Sequence, residues 1–378
     1  MVSTSIARRG LAAVVAVVVL AAGCGDDSAD ERASGDVPST TGPSAEGCTA
    51  DRVGGSVTMG VFSEAQGLDP AGAPGAGTTG GAERAAIFDT LVRYNPDTGE
   101  FEPHVAESVT PNDDFTSWTI KLRPGIKFGN GDPLTAESVK ASLERHMAQQ
   151  ARSSVKRALV GATISTPDEL TVVVTIPEPW VQFPFVLARE AGMVTNPAVV
   201  AQDPEGFGRN PVGAGVGPYE LVRYTPGDSI VLRAKDDYWG GPVCIQELRF
   251  VSFPGSDATL EALKVDTIQV AFLGSPGAVA RSEDEGIPGF DNLVHYAEGV
   301  LLNNGIRGSQ TLTTDPRLRR AIALAIDPEQ INQRVWDGKG LPTAKLVHPD
   351  SRLAYDTEGL SYDPEEAKRL VEEVKADG

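Results

Sequence analysis

Apolar and polar residues alternate from Trp118 to Leu122, the period of two that a half-buried strand shows. A little further on, Ala136, Val139, Leu143 and Met147 recur at helical spacing behind Thr135, a good N-cap. That stripe reads as core rather than as ligand contacts. The longest run of legible pieces lies between Gly213 and Ala271. A Gly-rich turn leads into a strand at Tyr219–Tyr224, Thr225-Pro226-Gly227-Asp228 reverses the chain, and Ser229–Ala234 returns as the second arm of a hairpin. Tyr238-Trp239-Gly240-Gly241-Pro242 then supplies an aromatic anchor and a second break. Ile245–Phe253 predicts a strand, and Ser256–Val265 a helix capped by Ser256 with apolar Ala258, Leu260, Ala262 and Leu263. Ile268–Phe272 follows as a short buried strand, so this unit closes as strand–helix–strand.

Elsewhere, Val53–Phe62 predicts a strand and Ala82–Arg93 a helix with Ala86, Ile87 and Leu91 on one face. Ala162–Ile176 reads as a hairpin around Thr166-Pro167-Asp168-Glu169, and Pro179–Glu190 as a short aromatic helix carrying Trp180, Phe183 and Phe185. Pro276–Glu285 is expected to be helical and Leu293–Asn304 to be a strand. Asp315-Pro316, Asp327-Pro328 and Asp363-Pro364 each place an Asp cap before a Pro at the first helical position. The first of these helices offers Leu318, Ile322 and Ala325/Ile326 as its apolar face, the last Leu370, Val371 and Val374.

With 378 residues, 40% of them hydrophobic and 22% charged, the composition is ordinary for a globular protein and the length allows two or more domains. A net charge of −19 argues against nucleic acid or an anionic membrane surface as partner. The N-terminus changes the picture more. Arg8-Arg9 precedes an apolar run, Leu11–Ala22, too short to span a bilayer, which marks residues 1–23 as a signal peptide. Leu20-Ala21-Ala22-Gly23-Cys24 resembles a lipobox, after which Cys24 would carry a lipid. Residues 24–52, rich in Ser, Gly, Pro, Asp and Glu, predict a flexible tether. A lipid on such a tether would hold an exported soluble domain at the outer face of the cytoplasmic membrane.

An exported chain meets oxidising conditions, so Cys48 and Cys244 are expected to form a disulfide; a metal site would lack a second pair of ligands. Each cysteine precedes a predicted strand, and if those strands are parallel neighbours the two meet at one sheet edge.

Several blocks occur in a fixed order: Gly215-Val216-Gly217-Pro218-Tyr219, Pro226-Gly227-Asp228, Asp237-Tyr238-Trp239-Gly240-Gly241 and Asp257-Ala258-Thr259. Arg320-Ala321 with Ala325-Ile326-Asp327, and Tyr362-Asp363-Pro364-Glu365, extend the series. Together they resemble extracellular solute-binding protein family 5, the peptide- and nickel-binding lipoproteins of ABC importers. Val265-Asp266-Thr267-Ile268 departs from it, standing where a Gly-Glu-Ile-Asp turn is usual.

The resemblance implies an α/β, two-lobe periplasmic-binding-protein-like fold (type II, cluster C) with an extra inserted domain. Residues 53–82 and 211–265 would form lobe 1, 83–210 its inserted subdomain, and 266–378 a partial lobe 2. It places Phe62, Ser63, Glu64, Gln66, Gly67 and Leu68, with Ala141 and Asn303, at an interlobe cleft. Ala141 stands where some peptide-binding relatives carry a stacking aromatic. The implied ligand is a small solute, a peptide first, with a nickel chelate, a sugar-like molecule or an opine as alternatives. The implied partners are an ABC permease and its ATPase subunits, with the binding protein a monomer.

Because family members continue beyond the last residue here, the second lobe is expected to be incomplete. The alternative function is therefore a truncated or vestigial member acting only as an interaction protein. No G-x-S-x-G elbow, H-E-x-x-H motif, P-loop or zinc-spaced Cys pair occurs. Gly75-Ala76-Gly77-Thr78-Thr79-Gly80 formally matches G-x-G-x-x-G, but no strand leads into it. The four histidines, His104, His146, His295 and His348, lie far apart. Neither an enzyme nor a cofactor is expected.

Overall fold

The computed structural model describes residues 48–49, 52–73, 79–96, 98–289, 300, 302–305, 308, 311–345, 347–351, 354–356 and 359–377. In chain order these form β1 (Gly54–Val61), α1 (Gly81–Phe88), β2 (Val92–Tyr94), β3 (Phe101–Pro103), β4 (Ala106–Pro111), β5 (Ser117–Leu122) and α2 (Ala136–Met147). Next come β6 (Thr163–Asp168), β7 (Thr171–Thr175), α3 (Pro184–Leu187), α4 (Pro197–Gln202), β8 (Tyr219–Thr225), β9 (Ser229–Ala234) and β10 (Ile245–Ser252). The series ends with α5 (Ser256–Lys264), β11 (Val270–Ala271), α6 (Pro276–Asp284), α7 (Pro316–Ala325), α8 (Pro328–Trp336) and α9 (Pro364–Ala376). The mixture of helices and sheets is the α/β class the sequence indicates.

A five-stranded sheet in the order β11-β1-β10-β9-β8 carries the first core. β1 runs parallel to both β10 and β11, whereas β10, β9 and β8 are antiparallel. Its hairpin turns at Thr225–Asp228, as its turn residues dictate. The first lobe is expected to end at 265, yet β11 extends the same sheet to Ala271. One face buries Val61, Leu68, Phe88, Phe207, Leu221, Ile230 and Leu232 under α1. On β1, Gly60 permits close approach of α5 and its exit: a Cβ there would lie 2.7 Å from Ile268 Cδ1 and 2.8 Å from Thr259 Cγ2. The Gly-rich turn has a similar cause. A Cβ at Gly215 would fall 2.0 Å from the Ile87 carbonyl oxygen, and the Gly217 amide donates to that same oxygen.

A second, four-stranded antiparallel sheet, β4-β5-β7-β6, belongs to the inserted stretch. Ile120, Leu122, Val172 and Val174 pack with Val139 and Leu143 of α2. Thr135 closes a capping box with Ser138 at the start of α2. Far smaller is the third core, Ala321 and Leu324 of α7 with Ala367 and Leu370 of α9.

Several elements depart from the pattern reading. The helix expected over 82–93 stops at Phe88, because Asp89 adopts a left-handed conformation (φ 59°) and residues 92–94 pair with β3. Tertiary hydrogen bonds to Asp89 override the apolar period there. Between β6 and β7 the reversal falls at Glu169-Leu170, with Asp168 accepting from the Leu170 amide, not around Thr166–Glu169. Only Pro184–Leu187 of the expected 179–190 helix is α-helical, followed by a 3₁₀ turn at Glu190–Gly192.

The cap of α5 is Gly255, not Ser256, whose hydroxyl instead accepts from the Gly274 and Ser275 amides. The strand expected at 268–272 shortens to Val270–Ala271. On α7 the packed face is Ala321/Leu324, about one residue round from Leu318/Ile322/Ala325, because the small side chains Ala321 and Ala367 let α7 and α9 approach. Most of the strand expected at 293–304 lies outside the described residues, and residues 302–305 form no regular element. Asp315, Asp327 and Asp363 all cap as expected, accepting from Arg317, Gln330 and Glu366 amides respectively.

Candidate functional site

The carboxyl ends of parallel strands β1 and β10 point the same way, and the loop after β1 lies outside them. In open α/β sheets that is where ligands bind. Along the loop, side chains divide by face. Phe62 (59% exposed), Glu64 and Gln66 face solvent, Ala65 and Gly67 are buried, and Leu68 is fully buried among the core residues.

Each buried or half-buried position is pinned. Ser63 Oγ lies 3.2 Å from Thr79 Oγ1, and the Ala65 carbonyl accepts from Tyr224 Oη at 2.6 Å. The Gly67 carbonyl accepts from Arg84 at 3.0 Å, and the Leu68 amide donates to the Gly208 carbonyl at 2.7 Å. Glu64 accepts from the Gly227 amide at 2.9 Å, tying the loop to the β8–β9 turn. Phe62 sets its ring edge-on to Phe272, centroids 6.0 Å apart.

Phe62, Glu64 and Gln66 are therefore exposed along this loop, whereas Gly67 and Leu68 are buried. Ala141 is half-buried on α2. One turn later, Arg145 pairs with Asp69 at 2.7 Å and lies over the Phe207 ring at 5.3 Å, which locks α2 to the end of this loop. Asn303 is exposed, and its hydrogen bonds are local, to Gly305, Thr311 and Thr313. Cys24 lies outside the described residues. Cys48 is bonded to Cys244 with a Cα–Cα distance of 5.4 Å, just before β1 and β10 in the parallel register.

Two buried polar clusters were not singled out by sequence. At the end of α1, Asp89 lies 2.8 Å from His104 Nε2 and accepts from Tyr238 Oη at 2.6 Å, while Trp239 donates to the Val216 carbonyl. Burial alone would raise the Asp89 carboxyl, but His104, Arg93 and Tyr238 outweigh it and hold the group below the usual carboxylate range. The aromatic anchor Tyr238-Trp239 is thus half of a clamp whose other half, Asp89 and His104, carries no local signal.

The second cluster is a cavity of about 20 Å³ beside the β1 loop, lined in part by Glu64, Glu83, Tyr224 and Asp228. Glu83 is 1% exposed, its Oε2 has no hydrogen-bond partner, and burial pushes its carboxyl up to about 7. In sequence Glu83 reads as one more acid in a first helical turn.

Among the described residues no group of three or more His, Cys, Asp or Glu converges to hold a metal ion. No helix among them is long and apolar enough to cross a membrane.

Comparison with known proteins agrees with this geometry. The family model for bacterial extracellular solute-binding proteins, family 5 middle, matches residues 100–378. The probable D,D-dipeptide-binding periplasmic protein DdpA of Escherichia coli K12 is 27% identical over 299 residues, 75% of this chain and 56% of DdpA. The chain thus spans little more than half the length of that relative. Among solved structures, AgaA from A. tumefaciens R10 in complex with agropinic acid has 28% identity and a TM-score of 0.71, over 85% of this chain and 64% of AgaA. DppA from Helicobacter pylori in complex with the peptide STSA shares the fold at 20% identity and a TM-score of 0.69, over 85% and 66% of the two chains.

Proposed function

Because the chain belongs to family 5 of the bacterial extracellular solute-binding proteins, we propose that it is the solute receptor of an ABC importer. It captures a short peptide, or a small carboxylate such as an opine, and delivers it to a membrane permease and its ATPase subunits. The match over residues 100–378 carries this reading. The exposed row Phe62, Glu64 and Gln66 at the carboxyl ends of β1 and β10 supports it locally. Lobe 1, with its inserted subdomain, supplies that row, and residues beyond β11 supply part of the facing lobe, including Asn303. Closure of two lobes over the solute would present one shape to the permease.

Export and lipidation at Cys24 belong to the same proposal, since a receptor held by a lipid stays next to its permease. The test is calorimetric titration of the chain with dipeptides, tripeptides, opines and nickel chelates, repeated on Phe62→Ala and Gln66→Ala. Binding of one class, weakened by roughly tenfold or more in these variants, is expected. Binding indifferent to both would move the site elsewhere.

A further inference from the structure

A cavity of about 290 Å³ opens in the inserted stretch between a 3₁₀ turn at Lys156–Leu159 and α3. That volume is close to the roughly 300 Å³ at which pockets begin to hold small organic molecules. Val155, Phe185 and Val186 line its apolar side, and Ser154, Arg157 and Arg189 its polar side. None of them belongs to the β1 loop. Val155 and Val186 are buried, whereas Phe185 is 42% exposed and offers its ring to an occupant.

The two guanidiniums differ in what holds them. Arg189 is fixed: its Nε lies 3.4 Å from Glu190 Oε2, its Nη2 donates to Ser154 Oγ at 3.2 Å, and the group sits over the Phe185 ring at 5.1 Å. Glu190 is itself buried and accepts from Ser154 at 2.9 Å. Nη1 of Arg189 has no partner among the described residues. Arg157 is exposed, and its side chain makes no hydrogen bond or ion pair among the described residues. Neighbouring Lys156 is already used, donating to the Gln149 carbonyl at 2.7 Å. In a chain of net charge −19, no Asp or Glu occurs between Arg145 and Pro167 to neutralise Arg157 locally.

Charge and lining together select one kind of occupant. Glu190 balances one of the two guanidiniums, which leaves a single positive charge for an anion. A planar guanidinium binds both oxygens of a carboxylate at once, and one already held in place loses little freedom in doing so. The apolar side suits a compact hydrocarbon body, above all an aromatic ring against Phe185. A cation would be repelled by Arg157 and Arg189, and an inorganic dianion would leave the apolar side unfilled and bring excess negative charge beside Glu190.

We propose that this cavity is a second ligand site, for a small organic monocarboxylate with an apolar body, an aromatic acid above all. It shares no residue with the solute site proposed above and does not depend on that reading.

Titration calorimetry of the full chain tests it, with benzoate and phenylacetate as probes. Benzamide and phenylacetamide serve as their uncharged counterparts, and inorganic phosphate as the anion without an apolar body. The acids should bind at least roughly tenfold more tightly than the amides or phosphate, and Arg157→Gln should weaken them by roughly tenfold or more. Because the Arg157 side chain has no bonded partner to lose, this variant should keep the wild-type unfolding temperature. Arg157→Lys, which keeps the charge without the planar fork, should recover only part of the affinity. Phe62→Ala should leave the acids' affinity within about twofold of the wild type. Acids that bind equally well in Arg157→Gln, or that lose affinity in Phe62→Ala, would put the carboxylate elsewhere and overturn the site. Phosphate that binds as tightly as benzoate would reduce the cavity to a plain anion patch, and failure of both acids to bind overturns the inference outright.

Discussion

The inserted four-stranded sheet and the helices from 316 to 376 are announced by the same kind of signal, a capped helix with an apolar stripe, and yet they bury it very differently. On α2, Val139 and Leu143 are fully buried against β5 and β7. On α7 and α9 the buried core is four residues, two of them alanine, while on and around α8 Ile331, Val335 and Leu341 are 48%, 57% and 59% exposed. A sheet offers a broad surface to a helix stripe, whereas two helices on small residues cover only a narrow seam. Because most helical stability comes from tertiary packing, the first region should be the rigid frame and the second the compliant one.

The largest effects should fall on the frame. Leu143→Ala is expected to cost about 2–5 kcal/mol of unfolding free energy and Leu324→Ala about 2 kcal/mol or less, measured by urea denaturation. Equal costs would break the contrast. Reducing the Cys48–Cys244 bond, which flanks β1 and β10 of the five-stranded sheet and closes a loop across 196 residues, is expected to cost about 2–4 kcal/mol of unfolding free energy. Two free thiols titrated in denatured, unreduced protein would remove that bond from the account.

Next in size are two buried titrating groups of opposite sign. Folded Glu83 binds its proton up to about 7 against an ordinary 4.5, so its contribution to stability is full below 4.5 and is lost as pH rises through about 7, at most about 3 kcal/mol. His146, 1% exposed, is pushed by burial from 6.5 down to about 4, so its contribution is full above 6.5 and is lost as pH falls toward 4. The two slopes oppose each other across the window they share. Glu83→Gln should therefore unmask stability that rises with pH from about 4 to 6.5, seen in thermal melts at stepped pH. A variant profile that falls with pH there contradicts the assignment. The smallest effect belongs to the compliant region: Val335→Ser should change stability by less than about 0.5 kcal/mol.

How much of this the sequence made legible follows the range of the forces involved. Turn and cap chemistry is local, so the Thr225–Asp228 turn, the Thr135 cap and the three Asp-Pro helix starts could be read directly. The parallel pairing of β1 with β10 was within reach through the positions of Cys48 and Cys244. Features fixed at long range were not legible. The end of α1 depends on Asp89 meeting His104 and Tyr238, 15 and 149 residues away, and the face of α7 depends on Ala367 of α9. Along the β1 loop, Phe62, Glu64 and Gln66 are exposed, but the burial of Leu68 is set by Phe88, Phe207 and their neighbours. Glu83 had no signature at all, because only the assembled cavity distinguishes it from any first-turn acid.

The proposed solute site lies at the carboxyl ends of β1 and β10. Thermal unfolding of the chain, alone and with dipeptides, tripeptides, opines and nickel chelates in turn, tests it most directly, because a ligand that binds only the folded state raises the transition. The expected result is one cooperative transition, raised by peptides or opines in the wild type and by less in Phe62→Ala and Gln66→Ala. A transition unmoved by every class, or moved equally in the variants, would contradict the claim.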